Sequence, residues 1–245
     1  MHFAIAPEHL EFFYRHHYIE FDDLLTETEA DQLKKAIGET LEKRLNFSPD
    51  KLMQADVETL FMAGHDTWRD DDRIKKVVLR PRLAEIAASL MKKRQLRIAY
   101  DQVFGTPNSP LDPEKLKSMP PLFHKHTSLG QTSSFQSVVC GLMLHLSSSS
   151  IPTQQSNLSI EEDLTSLIPL PRKAGSGIFF TPDIPLSLEY LFETPNQHQL
   201  LIVYCEDKSL YRHEKSDPHT HALKKLGYVF GDRLKNTTHP VVYRD

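Results

Sequence analysis

Cysteine is scarce in this chain: two in 245 residues, Cys140 and Cys205. They lie far apart in apolar runs and form no C-x-x-C pair, which excludes a thiol redox motif or a cysteine zinc site. The expectation is two unpaired, buried thiols. Glycine is also sparse, and the nine present build no phosphate-cradling loop. There is no G-x-S-x-G elbow and no H-E-x-x-H, and Asp70-Asp71-Asp72 lacks the alternate spacing of a calcium loop. No stretch approaches the roughly 20 apolar residues of a membrane helix. The opening residues carry Glu8, His9 and Glu11 where a secretory leader would have a basic region and an apolar core. A large charge of either sign is missing too. A formal net charge of −4 argues against a dedicated binder of nucleic acid or of anionic membranes. These absences lead us to expect a cytoplasmic globular protein without DNA or membrane partners.

What is present has a clear order. Tyr14 to Leu25 reads as a short strand running into a turn. Thr26-Glu27-Thr28-Glu29 then offers a capping box, and Leu33, Ile37, Leu41 and Leu45 form an i, i+4 stripe on the helix it starts. Ser48-Pro49 predicts a shorter helix that fades near Gly64. Trp68 to Asp72 reads as a polar loop before another helix, and Pro81 opens one more, ending at Lys92-Lys93-Arg94. From Leu96 the texture changes to strands, at 96–104, 135–146, 178–181, 186–192 and 200–205. Polar, Ser-rich residues 147–163 read as a surface loop. A short helix is expected around His219 to Leu226. Helices followed by strands imply helices packed on a sheet-rich barrel or sandwich. We read residues 1–245 as a single domain: a mainly helical part at 1–95, a strand-rich core at 96–206, and an extension at 207–245.

The chemistry-bearing residues are histidines. His124-Lys125-His126 places two imidazoles at i and i+2, on one face of a strand, which is half of a metal site. His145, Asp183 and His198 are the candidate third ligands. A second cluster, His213, His219, His221 and His239, has the look of a metal-chelating surface loop.

At this point the sequence resembles a family. Tyr18-Ile19-Glu20-Phe21-Asp22-Asp23-Leu24-Leu25 and the capped helix are similar to the start of phytanoyl-CoA dioxygenase-like proteins of the Fe(II)/2-oxoglutarate oxygenase superfamily. Leu96 to Phe104 sits at the first barrel strand, Phe123-His124-Lys125-His126 at the family's W-H-x-D, and Ala174-Gly175-Ser176-Gly177-Ile178-Phe179-Phe180 at its A-G-D-hydrophobic-F-F. The resemblance spans roughly residues 14–206. It implies an α+β fold with a double-stranded β-helix (jelly-roll) core at 96–206 and the N-terminal helices packed on one sheet. It also implies a site of two His and one carboxylate holding Fe(II), with open positions for 2-oxoglutarate and oxygen.

The matched positions depart from that pattern. His124 fits the first ligand, but His126 stands at the carboxylate position and Leu186 at the distal His. Gln197-His198-Gln199-Leu200 lacks the basic residue that anchors 2-oxoglutarate. The implied reading is a degenerate metal site, with His124 and His126 as its remaining metal-binding candidates, and a protein that has lost iron and 2-oxoglutarate binding. Such a protein would act as a monomeric binding or regulatory protein for a small molecule or a protein partner, with no cofactor expected. Two alternatives stand beside it. One is a non-heme iron oxygenase with an unorthodox site at His124 and His126, using Fe(II) or another divalent metal. The other is a regulatory protein that responds to divalent metal.

Overall fold

The computed structural model describes residues 5–105, 127–147, 171, 173–186 and 198–245. Among them the architecture is mixed: N-terminal helices against a six-stranded antiparallel sheet, with a separate two-stranded ladder. Helix α1 (Pro7–His16) was not legible as such. Proline at its first turn, Glu8 early and Arg15 and His16 late suit a helix and its dipole. Tyr14 therefore belongs to the helix, and the expected strand is confined to β1 (Tyr18–Phe21) after a left-handed His17.

Helix α2 (Glu27–Leu45) begins where the capping box places it. Thr26 Oγ1 accepts from the Glu29 amide at 3.2 Å, and the Glu29 carboxylate accepts from the Thr26 amide at 2.9 Å. Its apolar stripe, Leu33, Ile37 and Leu41, is buried. The single helix expected after Pro49 is two, α3 (Pro49–Met53) and α4 (Val57–Ala63). The division has a local cause: Asp56 accepts from the Thr59 amide at 2.8 Å and starts a new N-terminus. Helices α5 (Asp72–Val78) and α6 (Pro81–Leu90) follow. The stretch read as a polar loop instead buries Trp68 in a 3-10 turn, Thr67–Arg69.

The large sheet takes the order β1-β5-β4-β7-β2-β8, with β2 Gln95–Gly105, β4 Val138–His145, β5 Gly177–Phe180, β7 His198–Cys205 and β8 Val241–Arg244. The small ladder pairs β3 (Thr127–Ser128) with β6 (Pro185–Leu186). Both faces of the large sheet are buried, so its strands read as continuous apolar runs rather than as alternation. One face, with Ile98, Leu142, Leu144, Phe179, Leu200 and Ile202, packs on the helices. The other, with Tyr100, Phe104, Met143, Phe180, Leu201 and Val203, packs on Leu129, Phe135 and the C-terminal residues Tyr211, Leu223 and Tyr228. A bulge between Ile98 and Tyr100 reverses the parity of β2. Before it the even positions face the helices; after it Asp101 and Val103 do. The two thiols are free and buried on opposite faces, and burial pushes each up to about 12.

Candidate functional site

The β3–β6 ladder bears on the first candidate site. It sets Leu186 across from Thr127, the residue that follows His126, and Pro185 across from Ser128. His124 and His126 themselves lie outside the described residues. The chain at position 186 is thus brought to the end of the H-x-H segment, where the resemblance expects the distal histidine, and the residue there is leucine.

Gln199, in the segment where the resemblance expects a basic anchor, lies on the large sheet, on the face turned away from the helices. His145 on β4 and Gln199 on β7 are direct cross-strand partners, both fully buried. The Gln199 amide nitrogen lies 2.6 Å from His145 Nδ1. With the amide donating, Nδ1 accepts. Phe104 flanks Gln199 from β2. Neither partner is an arginine or a lysine.

The other candidate third ligands are dispersed. His198 begins β7 opposite Gly105, and its amide donates to Ser147 Oγ at 2.9 Å. Asp183 is exposed in the turn between β5 and β6. It borders a groove of about 610 Å³ lined by His16, His17, Val139 and Ile184. Among the described residues no three His, Cys, Asp or Glu side chains are grouped to hold a metal ion.

The second histidine cluster divides. His213 and His221 stay outside, His219 turns inward, and His239 is fully buried. His219 stacks on His65, ring centroids 4.0 Å apart and planes 10° from parallel. His65 was invisible as a functional candidate, since nothing in its neighbourhood repeats or alternates. It is held by residues 64–66 adding to the edge of β2: the Val103 amide donates to the Gly64 carbonyl, and the Asp66 amide to the Asp101 carbonyl, each at 2.9 Å. Arg44 reaches from α2 to the carbonyls of Ala63, His65 and Asp66 and pairs with Asp70 at 2.7 Å. Arg69 pairs with Asp66 at 2.8 Å and touches His239 Nε2 at 3.1 Å. A cavity of about 450 Å³ opens here, bounded by Arg44, His65, Asp66, Arg69, His219 and Lys225.

Burial drives the electrostatics of this second site. It pushes His65 down to about 3, helped by Arg44 and Arg69, His219 down to about 2, helped by His65, and His239 down to about 3, helped by Arg69. Asp101 is pushed up to about 7 by burial and by Asp66, against the donors Thr67 and Trp68. Its carboxylate accepts from the Thr67 and Trp68 amides and so caps the 3-10 turn from a neighbouring strand. The arrangement holds three neutral imidazoles against arginines whose own bonds run mostly to backbone and aspartate. It is a packing device joining the helices, β2 and the C-terminal residues.

No family model and no curated protein matches the chain. Solved structures do. The non-heme α-ketoglutarate-dependent carbocyclase SnoK from nogalamycin biosynthesis superposes with a TM-score of 0.66 at 15% identity, over 97% of this chain and 96% of that one. The epimerase SnoN from nogalamycin biosynthesis, also non-heme and α-ketoglutarate-dependent, gives 0.64 at 16% identity over 98% of each chain. CytC3 with Fe(II) and α-ketoglutarate gives 0.55 at 15% identity, over 96% of this chain and 88% of that one. The fold is therefore the one these α-ketoglutarate (2-oxoglutarate) enzymes share, an antiparallel sheet backed by helices. Likeness at this identity reaches the fold and stops there.

Proposed function

We propose that this chain is a non-catalytic protein on the 2-oxoglutarate oxygenase fold, of the phytanoyl-CoA dioxygenase-like kind, that has lost iron and 2-oxoglutarate binding. It works as a monomeric binding or regulatory protein for a small molecule or a protein. The observation that carries this reading is the β3–β6 pairing, which sets Leu186 across from the residue after His126. A facial iron site needs two imidazoles and a carboxylate. Leucine has no lone pair to give, and His126 at the carboxylate position is neutral when it ligates. Gln199, paired with His145, stands in the segment where the resemblance expects the cation that anchors the co-substrate. Hydrogen bonds to charged groups are worth roughly 1.5–3 kcal/mol, and that contribution is forfeited. The donor set does not fit Fe(II) with 2-oxoglutarate, and no oxygen chemistry follows from it.

The jelly-roll reading of the core takes the six-stranded sheet and the β3–β6 ladder as its two sheets. It is supported by the solved neighbours and by the apolar cluster on the face away from the helices. The test is direct. The protein is incubated with Fe(II), ascorbate and 2-oxoglutarate, and succinate is measured. We expect none above a metal-only control, and steady succinate formation would overturn the proposal.

A further inference from the structure

We infer that His213 and His221 form a surface site for one divalent transition-metal ion of the zinc class. The site is independent of the oxygenase-like centre. Eight positions separate the two histidines, and the fold closes that gap. The Glu214 amide donates to Thr220 Oγ1 at 3.0 Å, so the residues next to each histidine are tied together. Thr220 is itself fixed by Ser134 Oγ at 2.9 Å, and Asp217, at the loop's middle, accepts from the Ser134 amide at 2.9 Å. The loop is thereby pinned to the segment before β4, and its two ends carry the imidazoles.

The rings lie 5.9 Å apart between centroids with planes 41° apart, and both rest on Phe230, at 5.2 Å and 5.8 Å. A metal–nitrogen bond of about 2.0–2.1 Å plus the ring radius puts a shared ion roughly 3 Å from each centroid. A tetrahedral ion at that distance sets two centroids about 5 Å apart, so the pair at 5.9 Å has to close by about 1 Å, which rotation of two exposed side chains supplies. The His65–His219 pair fails the same criterion: its rings are nearly parallel at 4.0 Å, so their lone pairs run side by side. Both outer histidines are exposed, so an ion can reach them and water can fill its other positions. Glu214 is engaged by Arg212 at 3.5 Å, and no third ligand joins the pair among the described residues. The Lys224 ammonium, 5.0 Å from the Phe230 ring, opposes a bound cation and keeps the site weak.

The test is a zinc titration of the chelator-treated full chain, read by calorimetry and by the histidine ring-proton signals. We expect the His213 and His221 signals to move together and saturate. His213→Ala and His221→Ala should each weaken this binding by at least the roughly 10–100-fold that loss of a ligand's supporting partner costs. Both side chains are exposed, so the metal-free variants should melt like the parent. His124→Ala with His126→Ala should leave the same two signals and their saturation intact, which separates this site from the fate of the oxygenase-like centre. Lys224→Ala should tighten binding. Affinity retained in either single variant, saturation only above about 1 mM, or no tightening in Lys224→Ala would overturn the assignment.

Discussion

At position 186 an imidazole in place of leucine would give a metal one lone pair, and aspartate at 126 would add a negative charge. The paired exchange Leu186→His with His126→Asp, on a backbone whose β3–β6 register already sets position 186 across from Thr127, is expected to restore three donors. We predict that this double variant retains Fe(II) through anaerobic desalting, while the parent retains none. An iron content equal in both would count against the degenerate-site reading. Gly175, inside the A-G-S-G-I-F-F stretch, is constrained differently. Its φ is +83°, and a Cβ there would stand 2.1 Å from the Leu25 carbonyl oxygen. The Leu25 amide also donates to the Gly175 carbonyl at 3.0 Å, stitching the approach to α2 onto the turn before β5. Gly175→Ala combines positive-φ strain with a backbone clash and should cost about 2–4 kcal/mol in chemical denaturation. A stability unchanged within error would mean the turn is free to shift.

At the scale of elements, the capping box at Thr26 joins a readable sequence signal to a measurable energy. Thr26→Ala removes the acceptor for the Glu29 amide and should lower stability by about 1 kcal/mol, seen as a lower urea midpoint at unchanged slope. An unaltered midpoint would show that Glu29, which also binds Arg80 at 2.8 Å, holds the helix start alone. Features set by local chemistry of this kind were legible: this cap, the apolar stripe of α2, the strands β4, β5 and β7, and the free buried thiols. What was missed depends on distant partners. Trp68 looked like part of a loop because its turn is capped by Asp101, over thirty residues away. The ring cluster of His65 and His219 joins residues about 150 positions apart, and no spacing rule reports such a meeting. Of the candidate site, the departures at Leu186 and in the Gln197–Leu200 segment were legible, as residues set against the family's pattern. The His145–Gln199 pairing was not, because cross-strand register is fixed by the sheet and its bulges rather than by either strand's own sequence.

Across the whole molecule, the buried imidazoles tie folding to pH. His65, His219 and His239 sit at about 3, 2 and 3 in the fold, against an ordinary value of 6.5. Their folded pKa values are depressed, so between pH 6.5 and 3 the unfolded chain binds protons that the native one refuses. Their contribution to stability is complete above about pH 6.5 and is lost as the pH falls, at about 1.4 kcal/mol per pH unit for each ring. Asp101 works in the opposite sense. Raised to about 7 from 3.8, it holds a proton in the fold that the unfolded chain releases, and its contribution grows as the solution is acidified from 7 towards 4. Asp217, also raised by burial, adds to that opposing side. Three rings against one or two carboxyls leaves a net loss of stability as the pH falls from about 6 to about 4. Urea unfolding at about pH 7, 6 and 5 should therefore show a falling midpoint, and a flat or rising one would contradict the neutral, buried state of these rings. His219→Phe keeps a ring to stack on His65 while removing one titrating group. It should flatten the pH dependence, and an unaltered slope would take His219 out of the set that carries it.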